Sequence, residues 1–223
     1  MNNKTDTKYN LIIFDFDGTL VDSVPSIHKT ANIMAKRYKI KPISVAEVKN
    51  AVGAGLGIFL EKIFKKVIDK YGVERIRKDY VNLYKKNFRY KIKTFAGVVI
   101  TLKTLKEKGI KMLILSNKLF YFIKKSCKYL GIDIYFDEII GRGDLKKDKP
   151  DPYPINYILK KYKIYKKNVL LVGDSQYDAE CAFRAGIDFF YLKYGYGDRK
   201  KTKRLKPKYI KGKITSLLDV VKI

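Results

Sequence analysis

The chain has 223 residues, room for one full domain and a smaller second one. An apolar fraction of 46%, with 12 Phe and 18 Tyr, excludes wholesale disorder, and no apolar run approaches the ~20 residues of a membrane-spanning helix. Basic residues number 49 against 22 acidic, a net charge of +27 that invites a nucleic-acid-binding reading; yet only eight are Arg, the residue suited to bidentate recognition of phosphates and bases.

Residues 1–10 are polar and lack the apolar segment of a secretory signal. Leu11-Ile12-Ile13-Phe14 follows, a continuous apolar run that suits a strand buried on both faces. Residues 24–91 then read as helical almost throughout. Candidates span 24–38, 58–70 and 73–89, and Ser44-Val45-Ala46-Glu47 is a capping box that opens another. Beyond them helices over 98–108, 119–130, 153–162 and 177–185 alternate with the apolar runs Met112-Leu113-Ile114-Leu115, Val169-Leu170-Leu171-Val172 and Phe189-Phe190-Tyr191-Leu192. Gly109, Gly131 and Gly186 stop three of these helices. Such alternation predicts an α/β fold, a doubly wound parallel sheet of Rossmann-like form. One crossover helix does not fill the gap from Phe14 to Met112. A small α-helical domain, 24–91, is therefore expected to be inserted into a core made of 1–23 and 92–223.

The basic run 199–208, RKKTKRLKPK, reads as a solvated loop. Cys127 and Cys181 fall in helical patterns and read as packing residues; two thiols do not make a disulfide scaffold and fit a reducing, cytoplasmic compartment. His28, the single histidine, reads as a surface or hinge side chain. Phe59, Phe64, Tyr80 and Tyr84 recur at helical spacing and read as core.

Chemistry concentrates where the strands would end, the place at which open α/β sheets bind ligands. The first run leads into Asp15-Phe16-Asp17-Gly18-Thr19-Leu20, with two carboxylates on one strand face and a glycine that lets the chain turn. The second leads into Ser116-Asn117, and the third into Gly173-Asp174-Ser175 with Asp178 four residues on. Between them, prolines in Asp148-Lys149-Pro150-Asp151-Pro152 fix Lys149 in an extended loop. Clustered carboxylates repel unless a cation joins them, and Mg²⁺ prefers oxygen ligands. Carboxylates, one lysine and one hydroxyl together suit a divalent cation and a phosphate.

These motifs, in this order, resemble the four signature motifs of the haloacid dehalogenase-like phosphatases, and the helical insertion resembles that family's cap domain. The resemblance implies that Asp15 attacks phosphorus and that Asp17 protonates the leaving alkoxide and then activates water. It implies Mg²⁺ held by Asp15, the backbone carbonyl of Asp17, Asp174 and Asp178. Ser116, Asn117, Gly18 and Thr19 would bind the phosphate, and Lys149 would bridge nucleophile and phosphate. Hinges would lie near 22–25 and 91–97. Within the family the likeness is to bacterial phosphoglycolate phosphatases, whose glycine-containing cap loop resembles Val52-Gly53-Ala54-Gly55-Leu56. Gly53, Ala54 and Gly55 would contact a small phosphorylated, anionic substrate. Arg142 and Tyr177 depart from the pattern, as does the basic run. Pyrophosphate, sugar phosphates and nucleotides remain alternative substrates. A phosphomutase using His28, or a nucleic-acid-binding protein reusing the fold, are competing functions, and the four clustered carboxylates argue against binding nucleic acid as the sole role. No feature of the sequence sets an oligomeric state.

Overall fold

The structure, a computed structural model, describes residues 8–222. In chain order it runs β1 (Leu11–Phe14), β2 (Val21–Asp22), α1 (Val24–Arg37), α2 (Val45–Ala51), α3 (Leu56–Tyr71), α4 (Val73–Asn87), β3 (Lys93–Thr94), α5 (Val98–Glu107), β4 (Lys111–Leu119) and α6 (Phe120–Leu130). It continues with β5 (Glu138–Arg142), α7 (Tyr153–Tyr162), β6 (Val169–Gly173), α8 (Gln176–Ala185), β7 (Asp188–Leu192), α9 (Arg199–Arg204), β8 (Tyr209–Lys211) and α10 (Ser216–Val220).

Six strands form one sheet in the order β5-β4-β1-β6-β7-β8, every neighbouring pair parallel. Side chains on β1 alternate between two buried layers. Ile12 and Phe14 pack with Val98, Leu102 and Leu105 of α5, while Leu11 and Ile13 pack with Ile155 and Ile158 of α7 on the other face. Helices on both faces explain why β1 reads as a continuous apolar run. The chain leaves β1 toward β4 and leaves β6 toward β7, so the crevice at this switch of direction opens between β1 and β6.

Helices α1–α4 build a separate apolar cluster around Met34, Leu60, Phe64 and Ile76. The capping box of α2 forms as the sequence suggests: Glu47 N–H donates to Ser44 Oγ at 3.2 Å, and Ser44 N–H to Glu47 Oε2 at 2.8 Å. The antiparallel ribbon β2–β3 clasps the ends of this helical segment, with Val21 opposite Thr94 and Asp22 opposite Lys93. The run 199–208 is not simply a loop. Its first part is α9, capped by Asp198, whose side chain accepts from the N–H groups of Lys200 and Lys201, and anchored by the buried Thr202. Lysine and arginine are good helix formers, so a cap and one buried residue suffice for a short helix. Among the described residues no helix is long and apolar enough to cross a membrane.

The β7 end of the sheet carries a charged clasp. Asp188 Oδ2 accepts from Lys8 Nζ at 2.6 Å, Tyr9 Oη at 2.6 Å and Lys208 Nζ at 2.7 Å. Burial alone would raise the Asp188 carboxyl, but these donors outweigh it and hold its pKa at about 2. A carboxyl lowered on folding stabilises the fold above its ordinary pKa of about 4 and loses that contribution as pH falls through about 2. Asp188→Asn is expected to lower the melting temperature at pH 7 by about 2–4 °C, with the difference shrinking to nothing as pH falls from about 4 to 2. A melting series over that range reads it; an unchanged gap at pH 2 would refute the assignment.

Candidate active site

Strand register assembles the site. Phe14 is level with Ile114 on one side and Val172 on the other, so Asp15 lies one residue beyond this line and Ser116 and Asp174 two. Neighbouring strands are about 4.8 Å apart, so the three residues leave the sheet close together at one edge. Asp15, Asp174 and Asp178, all buried, can each present an oxygen within 4.8 Å of the others. This all-oxygen set fits a hard divalent cation.

Lys149 neutralises part of that charge. Its ammonium donates to Asp15 Oδ1 at 2.7 Å, Asp178 Oδ1 at 2.6 Å and the Leu115 carbonyl at 2.6 Å. Those acceptors use all the donors an ammonium has. Lys149, expected to bridge Asp15 and phosphate, bridges Asp15 and Asp178 and does not line the cavity. Burial disfavours the ammonium, yet Asp15 and Asp178 more than restore it, and its pKa lies above the ordinary lysine value. Burial also raises Asp15, against the pull of Lys149 and with Asp178 adding to it, to about 6. Asp174 is pushed well up by burial, Asp15 and Asp178, although N–H of Tyr196 and the Thr19 hydroxyl oppose the shift.

Asp174 is held in a tight cradle. Thr19 Oγ1 donates to its Oδ1 at 2.9 Å, and N–H of Tyr196 and Gly197 to its Oδ2 at 2.7 and 3.2 Å. Gly18, at φ +90°, lies so close that a Cβ there would fall 2.5 Å from Asp174 Oδ2. Thr19 and Gly18, expected as phosphate contacts, thus shape the cradle of Asp174 instead, and neither lines the cavity. Asp178 has two structural ties: its Oδ2 also accepts from Ser175 Oγ at 2.6 Å and Ser175 N–H at 3.1 Å in the capping box of α8.

A cavity of about 80 Å³ opens beside these groups. Asp15, Asp17, Ser116 and Asn117 line it from the sheet, and Phe59, Tyr80 and Tyr84 from the inserted helices. These aromatics are core residues, as the helical spacing suggests, and cavity wall as well. Gly53 and Gly55 line it; Ala54 is buried and does not. Asn117 Nδ2 ties the two halves together, donating to the carbonyls of Gly53 at 3.0 Å and Lys149 at 2.8 Å. His28 meets the Ile43 carbonyl at 2.9 Å and is not part of the wall. Cys127 and Cys181 are free and buried, and burial lifts both thiols to about 12, so neither offers a nucleophile.

The residue the motif reading missed is Lys118. Its Nζ donates to Asp17 Oδ1 at 2.8 Å, to Oδ2 at 3.0 Å and to Tyr84 Oη at 3.0 Å. Burial disfavours this ammonium too, but Asp17 and Tyr84 more than offset it and its pKa lies above the usual value. Ser23 Oγ adds a bond to Asp17 Oδ1 at 2.5 Å. The Asp17 carboxylate therefore stands outside the group of Asp15, Asp174 and Asp178, which leaves its backbone carbonyl as the atom it can offer a cation. A signal was present in position alone: Lys118 stands two residues after Ser116 at the end of the same strand, where the register is irregular and residues 116–119 all line the cavity. Tyr84, on a helix remote in sequence, gave none.

The family model for haloacid dehalogenase-like hydrolases matches residues 12–192. A phosphoglycolate phosphatase of Vibrio cholerae is 30% identical over 217 residues, 95% of this chain and 96% of its own length. One of Psychrobacter arcticus is 29% identical, covering 94% of each chain. The crystal structure of a predicted phosphoglycolate phosphatase from Haemophilus somnus superposes with a TM-score of 0.90 at 27% identity, over 96% of this chain and 99% of that one. With the carboxylates, Lys149 and Ser116 gathered at the strand ends of such a fold, the chain belongs to the haloacid dehalogenase-like hydrolases.

Proposed function

We propose that the chain is a Mg²⁺-dependent phosphomonoesterase acting through an aspartyl-phosphate on a small phosphorylated acid, first of all 2-phosphoglycolate. One observation carries this reading. Asp15 is gripped through Oδ1 by Lys149, beside Asp174 and Asp178, and faces a small cavity that Asp17 also lines. Three relatives that match nearly the whole chain bear the phosphoglycolate phosphatase name, which supports the substrate. Free, buried thiols suit a reducing cytoplasm.

In this mechanism Asp15 Oδ2 attacks phosphorus and the P–O bond to the alcohol breaks. Asp17, entering as the carboxylic acid, gives the departing alkoxide its proton, then takes one from the water that cleaves the acyl-phosphate, so phosphate leaves with Asp15 again a carboxylate and Asp17 again an acid. Ser116 Oγ and the amides around Asn117 receive the phosphate oxygens. Lys149 acts through Asp15, fixing its rotamer. Asp15, Asp174, Asp178 and the Asp17 carbonyl would hold Mg²⁺, which when bound neutralises phosphate charge. Helices α1–α4 serve as a cap over the site, with the β2–β3 ribbon as hinge, and the cavity under it suits a small ester.

Phosphate release from a panel of 2-phosphoglycolate, sugar phosphates, nucleoside monophosphates and pyrophosphate tests the reading. Turnover should need Mg²⁺, favour 2-phosphoglycolate and vanish in Asp15→Asn; folded protein that turns over no panel member would end it. Thr19→Val, which strips one donor from Asp174, should raise the Mg²⁺ concentration for half-maximal rate about 10- to 100-fold. An unchanged metal requirement would remove Thr19 from the cradle's function. Lys118→Met should slow ethyl phosphate hydrolysis about 10- to 100-fold while p-nitrophenyl phosphate, whose leaving group needs no proton, changes by less than about threefold. Equal losses on both esters would show that Lys118 does not position the acid.

A further inference from the structure

Among the described residues, Arg142 Nη1 is the one buried side-chain nitrogen or oxygen without a hydrogen-bond partner. The residue ends β5, level with Leu119 on β4; its side chain is about one-third exposed overall, and its Nε forms an ion pair with Asp148 Oδ2 at 3.1 Å. The guanidinium lies directly under the Gly53–Gly55 loop. Gly55 sits at φ +91°, and any Cβ there would collide with Nη1 and come within 3.2 Å of the Asn117 carbonyl. Gly55 and Asn117 both line the cavity, so the unmet donor is one layer behind its wall, on the seam between the loop and the sheet.

A guanidinium nitrogen buried with no acceptor is costly, and an Arg fixed by one edge of its fork is shaped to receive an anion on the other. The phosphate groups of the site, Asp15, Ser116 and Asn117, leave this donor untouched. We infer that Arg142 is the anchor for a second anionic group of the substrate, the carboxylate of a compact phosphorylated acid, entering between Gly55 and Asn117. Asp148 holds Nε and aims the fork; the ligand satisfies Nη1. This assignment rests on the phosphatase reading for the identity of the ligand, and it makes Arg142 a determinant of specificity rather than of chemistry. It also explains why a glycine faces the guanidinium: a side chain at 55 would occupy the anchor's place.

The test is calorimetric titration of 2-phosphoglycolate, pyrophosphate and ethyl phosphate with Mg²⁺ present, in an Asp15→Asn background that blocks turnover. With Arg142 intact, 2-phosphoglycolate should bind about 10- to 100-fold more tightly than ethyl phosphate, the worth of one charge-assisted hydrogen bond. Arg142→Met should erase that preference and leave ethyl phosphate within about threefold. Arg142→Lys, which keeps the charge without a fork to hold Asp148 and the ligand together, should lose most of it and serves if the Met variant does not fold. Loss of pyrophosphate affinity as well would show that Nη1 takes any second anion; retention would confine it to carboxylates, and either supports the anchor. No preference with Arg142 intact, a preference that survives Arg142→Met, or equal weakening of all three ligands overturns it. Separately, a binding preference with no turnover of 2-phosphoglycolate by the unaltered chain would sink the phosphatase reading and leave the anchor standing.

Discussion

The buried ammonium of Lys149 is the contact on which the site depends. Three carboxylates within 4.8 Å of one another, all buried, cannot be enclosed by an apolar sheet without a counter-charge. Lys149 supplies it and spends each of its donors on a different element: the end of β1 through Asp15, β4 through the Leu115 carbonyl, and α8 through Asp178. One side chain therefore ties the end of β1 to β4 and to α8 and fixes the rotamer of Asp15. The loop that carries it is itself pinned, because Asn117 donates to the Lys149 carbonyl. Removing the ammonium would leave an uncompensated cluster of negative charge, which is costlier than the pair itself is stabilising.

A second ammonium ties the inserted helices to the sheet. Lys118 joins Asp17 to Tyr84 on α4; Tyr84 in turn meets Ser26 on α1 at 3.2 Å and packs edge-on to Phe122 of α6 with ring centroids 4.7 Å apart. Displacing the helices would thus alter the partner of Asp17 as well as the cavity wall. A second tie runs from Asn117 to the Gly53 carbonyl, both residues of the cavity wall. Asp17, through Lys118, and Asn117 are thus each linked to the helical segment by a polar contact, so the position of that segment and the geometry of these side chains change together.

What the sequence made legible follows from how strongly each feature is specified. Continuous apolar runs marked β1, β4, β6 and β7 because both faces of each are covered, and the helix boundaries agreed within a residue or two. Strand β5 escaped notice since only Ile140 and Gly141 of its five residues are buried, and β8 because it is three residues at the sheet edge. Residues whose roles are set by strand register, Asp15, Ser116 and Asp174, could be placed from spacing. Residues whose roles are set by what lies across a loop could not. Thr19 turns to Asp174, Lys149 faces Asp178 rather than the cavity, and Asp17 faces Lys118. Each of these depends on a contact 29 to 155 residues away in the chain, which local pattern does not encode.

The charge of the chain and the charge of its site have opposite signs, and the difference bears on what can bind. Asp15, Asp17, Asp174 and Asp178 with Lys118 and Lys149 give 2 − 4 = −2 when all are ionised. Such a pocket repels a dianionic phosphate; burial, first of all, raises the proton affinity of Asp15 and Asp174, and the neighbouring Asp178 adds to it. A bound dication brings the sum to zero, whereas the +27 of the whole chain draws anions toward the surface from about a Debye length away. Capture by the general field and acceptance by the pocket are therefore separate problems. The lysines answer the first for any anion, and only the second discriminates, through the narrow cavity and the groups that line its seam.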